Sequence, residues 1–98
     1  MIHGEKASRE LELPPIAKSS SKAVEVLRVW TVSGQPQQLT LRTTWKDPGA
    51  WGILLADVAR HAAKAYENEG HERAEALTRI RLLLDAEFAA PTDIPSEL

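Results

Sequence analysis

The hydrophobic period changes at Asp47–Pro48, and this switch constrains the fold more than any other feature of the 98-residue chain. Before it, QQLTLRTTW (37–45) alternates. Leu39, Leu41, Thr43 and Trp45 fall on one side; Gln38, Thr40, Arg42 and Thr44 fall on the other. A period of two is that of a half-buried strand. After the switch, Trp51, Leu54, Leu55, Val58, Ala62 and Tyr66 recur at steps of three and four, the stripe of an amphipathic helix. Asp47 is a good N-cap, Pro48 suits the first helical position, and Gly70 suits the left-handed residue past the end.

The flanking segments extend the pattern. VEVLRVWTV (24–32) is rich in β-branched and aromatic residues and reads as a strand. SGQP (33–36) is a turn signal, compatible with a two- or three-residue loop. HERAEALTRIRLLLDAEFAA (71–90) reads as a second helix, with Leu77, Ile80, Leu84 and Phe88 as its stripe and Ala76 and Leu83 at the margin. Gly70 leaves a short link, so the helices should run antiparallel. The expected fold is α+β: a β-hairpin with two antiparallel helices packed on it, ββαα, in one small domain over residues 23–90. Residues 1–22 read as a flexible tail with Pro14–Pro15 and a serine run, and residues 91–98 as a second tail.

Composition narrows the chemistry. A net charge of −2 gives no sign of a polyanion partner, and the absence of cysteine removes disulfides, thiol nucleophiles and thiolate zinc sites. His3, His61 and His71 have no metal-ligand spacing. Asp57 and His61 are four apart on the first helix. They lie among Arg60, Lys64 and Glu67, on what reads as a solvated face rather than an acid–base pair. The arginines of the second helix are offset by acids, so no nucleic-acid surface is expected. The start of the chain does not read as a signal peptide. The most apolar run, Ala50–Ala56, is seven residues against the roughly 20 of a membrane span. The expectation is a cytoplasmic protein with no cofactor, no metal and no catalysis.

Two places invite a functional reading. TTWKDPGAWG (43–52) concentrates two of three tryptophans and two of five glycines. Trp45 and Trp51 can simply bury area where strand meets helix, in the manner of a hydrophobic staple. Trp51→Ala would then cost about 3 kcal/mol or more. Alternatively Trp45, Lys46, Gly49, Trp51 and Gly52 form a binding site for a small anion or acidic peptide at the helix start Asp47–Gly52. The second place is strand one. Leu27 and Val29 take one face, while Val24, Val26, Trp30 and Val32 make the other face apolar too. Two helices cover only one face of a hairpin. The second face is therefore the expected homodimer interface, with Leu11, Leu13 and Ile16 of the tail as the rival cover.

The segments VLRVW, LRTTWKDPGAWG and ARHAA, followed by RIR, DAE and PTD, resemble a family of short bacterial proteins of unknown function over roughly residues 24–93. The resemblance implies a bacterial cytoplasmic setting and a stand-alone small domain, with no activity attached. The reading is a small non-catalytic interaction or accessory module, homodimeric, with an unidentified protein partner as a further possibility.

Overall fold

A computed structural model describes residues 9–92, so the expectations placed on residues 1–8 and 93–98 lie outside the described residues. The element order is α1 (Pro15–Ser19), β1 (Leu27–Trp30), β2 (Gln38–Leu41), α2 (Gly49–Asn68) and α3 (Arg73–Ala89). The main elements are thus the expected α+β series, a hairpin followed by two helices. The chain divides into two compact units, Met1–Thr44 and Trp45–Leu98, each described by itself.

In the first unit β1 and β2 pair antiparallel in the register Leu27↔Leu41, Arg28↔Thr40, Val29↔Leu39 and Trp30↔Gln38. Residues opposite one another share a face. Leu27, Val29, Leu39 and Leu41 therefore line one side, and Arg28, Trp30, Gln38 and Thr40 the other. Two further bonds carry the pairing past the strands: the Arg42 N–H donates to Val26 O at 2.9 Å, and Arg42 Nε donates to Glu25 O at 3.1 Å.

Both strands are shorter than their sequence pattern, and the loop between them is longer. Seven residues, 31–37, connect them, rather than two or three. The turn itself is Val32–Gln35, closed by Gln35 N–H donating to Val32 O at 3.0 Å, with Gly34 at φ 81 in the position that demands a left-handed residue. Pro36 has no N–H to give the ladder, so pairing resumes only at Gln38. At the other end, Thr44 has φ 63 and its Oγ1 donates to Arg42 O at 3.1 Å. A β-branched residue in left-handed backbone cannot continue a strand. Trp45 thus lies outside β2 and is not part of its alternating face.

The segment read as a tail is partly structured. Residues 15–19 form a single helical turn, and Arg28 Nη1 donates to Glu10 Oε2 at 3.0 Å. Arg28 also donates to Glu25 at 3.2 Å. The hydrogen bond and charge of Glu25, then the charge of Glu10, raise the Arg28 pKa above its ordinary value. Arg9 stands over the Trp30 ring, 5.9 Å from its centroid.

In the second unit α2 and α3 pack against each other across a link of four residues. The α2 end is a Schellman motif. His71 N–H donates to Tyr66 O and Gly70 N–H donates to Glu67 O, both at 3.0 Å, with Gly70 at φ 103. The apolar contact that accompanies this motif is made by Tyr66 and His71, edge to face at 5.2 Å. Glu72 then caps α3, its carboxylate accepting from Glu75 N–H at 2.8 Å. The sequence reading missed this cap because glutamate is not among the favoured cap residues. Glu67 accepts from Lys64 at 3.1 Å and lies 3.4 Å from Arg73, joining the two helices.

The expected stripes are buried only in part: Trp51, Leu54, Ala62, Leu77 and Ile80 are half-buried. Ala63 is the one buried hydrophobic residue among the described residues, with Ala59, Ala62, Ala76, Leu77 and Ile80 half-buried. The buried and half-buried alanines are small side chains of the kind that let two helices pack. Leu84 and Phe88, expected inside, are exposed at 44% and 77%. Leu55, Val58 and Tyr66 are exposed too.

Two outcomes follow for this unit. Gly70→Ala places a Cβ in left-handed backbone and is expected to cost about 1–2 kcal/mol, read as a lower urea midpoint. The Glu67 pKa is lowered, first by the Lys64 hydrogen bond and then by the Arg73 charge. A lowered folded pKa gives stability that is present above the unfolded value and lost as pH falls through the folded one. Wild type should therefore lose more stability than Glu67→Gln as pH drops below 4.5, Glu67's ordinary value, in thermal melts recorded across that range.

Candidate functional site

The helix start at Asp47–Gly52 is built by its own carboxylate. Asp47 Oδ1 accepts from Gly49 N–H at 2.8 Å. Ala50 N–H donates to Asp47 O at 3.1 Å and Trp51 N–H to Pro48 O at 2.9 Å. Pro48 already has helical backbone, φ −57 and ψ −22, so Asp47 acts as the cap. The N–H groups of residues 49–51 are all bonded within the chain, and the positive end of the helix faces a built-in anion. Gly49 has a local reason: a Cβ there would meet Asp47 Oδ1 at 3.1 Å. Gly52 has none, since a Cβ there meets nothing within 4 Å. Lys46 is exposed.

Trp45 and Trp51 do come together, edge to face with centroids 5.8 Å apart. They pack across the cap, as the staple reading expects. Trp45 is 41% exposed and Trp51 half-buried, so the pair is a surface clasp rather than a core. The cost of Trp51→Ala is correspondingly smaller than for a buried ring: about 2 kcal/mol, from the lost ring pair and partial burial. Denaturant midpoints of wild type and variant measure it.

The four expected interface residues differ in setting. Val24 and Val32 lie outside the strands and are 58% exposed, and Val26 is half-buried. Trp30 is in β1 and carries Arg9 over its ring. Residues 9–14 and β1 line a shallow groove. A cover for Trp30 from within the chain is therefore present, but it is Arg9 rather than the apolar tail residues. Leu11, Leu13 and Ile16 are 95%, 55% and 63% exposed.

Asp57 and His61 do not pair through the carboxylate. His61 Nδ1 lies 2.8 Å from the Asp57 backbone carbonyl. A carbonyl only accepts, so Nδ1 carries the proton and donates. Among the described residues no polar side chain is buried, and no group of three or more His, Asp or Glu is placed to hold a metal ion.

One concavity was not anticipated. It lies beside the α2–α3 turn and is lined by Tyr66 and His71 and by Glu75, Ala76, Arg79, Ile80 and Leu83 of α3. The signal was present in the sequence: Leu82–Leu83 on the side of α3 that carries Glu75 and Arg79, opposite in sign and one turn apart.

Comparison with known proteins adds a family and a fold relative. No curated protein matches the chain. Among solved structures, a protein of the photosynthetic bacterium Rhodopseudomonas palustrus CGA009, described as a "putative pyruvate dehydrogenase", is 36% identical, with a TM-score of 0.75 over 92% of this chain and 93% of that one. The family model of a domain of unknown function, DUF5076, matches residues 10–92. The chain belongs to the DUF5076 family of domains of unknown function.

Proposed function

We propose that this protein is a small non-catalytic interaction module that works as a homodimer. The observation that carries the reading is burial. Apolar residues make up 43% of the chain, yet Ala63 is the one buried hydrophobic side chain among the described residues. Leu, Ile, Val and aromatic side chains stand exposed in both units. Folding is driven by removing such surface from water, and monomers rarely display large apolar patches without a partner for them. A second copy is the simplest partner, because two-fold dimers are the commonest oligomers and every copy brings the same unburied surface.

The dehydrogenase description belongs to the Rhodopseudomonas protein. Catalysis of that or any other kind here would call for polar groups converging in a sheltered site. The described side chains offer charges beside two open grooves, and none of the polar ones is buried. No helix among the described residues is long and apolar enough to cross a membrane. A bacterial cytoplasmic setting is part of the proposal, supported by the bacterial relative.

Sedimentation of the full chain between about 1 and 100 μM tests the reading, a range in which a standard-sized interface stays associated. The expected species has twice the 10.8 kDa chain mass. A monomer at every concentration overturns the proposal.

A further inference from the structure

We infer that the second copy seats on the Tyr66–Leu83 groove, with α3 lying antiparallel across α3 of the other chain about a two-fold axis at the level of Leu77. The inference rests on the homodimer reading above and says where that dimer forms.

Charge order and the groove together point to this surface. Glu75 and Arg79 are four residues apart with the acid first, the spacing at which such side chains most readily pair along one helix. Neither side chain has an ion-pair partner among the described residues, and both line the groove. A two-fold axis at residue 77 relates positions symmetrically about it. Glu75 then meets Arg79 of the second copy, and Arg79 meets its Glu75. The surface is complementary to itself, as an isologous interface must be.

The same symmetry supplies the apolar fit. It brings Leu83 to the end of the second copy's groove where α3 starts, the end that holds His71 and the Tyr66 ring. Leu82 comes over the stem of Glu72. Leu82, Leu83 and Tyr66 are 57%, 42% and 47% exposed within one chain, so each has area to lose. Two helix pairs joined this way make a four-helix arrangement with small and branched side chains inside. Leu84 and Phe88, on the other flank of α3, are exposed too, and Arg81 and Asp85 stand beside them in the base-first order.

Charge reversal tests the reciprocity. Glu75→Arg and Arg79→Glu each place like charges opposite one another twice per dimer, while the double variant restores both pairs with the signs exchanged. Sedimentation of the full-length proteins at about 0.1 M salt should show each single variant with a dimer Kd raised at least about tenfold, and the double variant within a few-fold of wild type. Leu83→Asp should weaken the dimer as the single reversals do. Both charged residues are exposed, and far-ultraviolet circular dichroism checks that α3 is retained. A wild-type dimer unaffected by either reversal overturns this interface and leaves the homodimer standing. Single variants that weaken without rescue overturn the two-fold pairing. A monomeric wild type overturns both.

Discussion

The contact of α2 with α3 at Ala63 is the constraint on which the helical unit depends. Ala63 is 1% exposed, the one buried hydrophobic side chain among the described residues. The approach is set from one end by the Gly70 turn, whose two backbone bonds reverse the chain and aim Tyr66 at His71. The Glu67–Arg73 contact and the Glu72 cap add electrostatic terms at the same end. Leu55, Val58 and Tyr66, elsewhere on α2, remain exposed.

The element series was legible in the sequence because it was written in period and punctuation. The alternation of residues 37–41, the Asp47–Pro48 start and the Gly70 stop each have a local physical cause and each appear where expected. What was illegible depended on neighbours. Nothing in VEVLRVWTV says that pairing stops at Trp30; that follows from Pro36 across the loop. The helix stripes were assigned by hydrophobicity, which favours Leu55, Val58 and Phe88. The seam was decided by volume, which favours Ala59 and Ala63.

The candidate sites divide in the same way. The Trp45–Trp51 pair was readable because both rings flank a strong cap signal, and the structure brings them together at 5.8 Å. Their role as ligand contacts loses support where Asp47 takes the Gly49 N–H. The Arg9 contact to Trp30 and the Glu10 contact to Arg28 were unreadable, since a separation of about 20 residues in a proline-rich stretch leaves no periodic trace. The groove at Tyr66 lay hidden in charges that looked like an ordinary wet face. Membership of a family without an assigned activity leaves the burial pattern as the main physical guide to what the protein does.

Thr44 bears on how this sequence can drift. At φ 63 a threonine is strained, while Gly, Asn and Asp occupy the same backbone at lower cost. Proline cannot occupy it at all, since its ring fixes φ near −65°. Related chains should therefore tolerate small polar residues and glycine at this position and reject valine, isoleucine and proline, although the side chain is exposed and its main recorded hydrogen bond is to the carbonyl of Arg42. Position 44 would look permissive by accessibility and restrictive by substitution, a signature of backbone geometry rather than of contact.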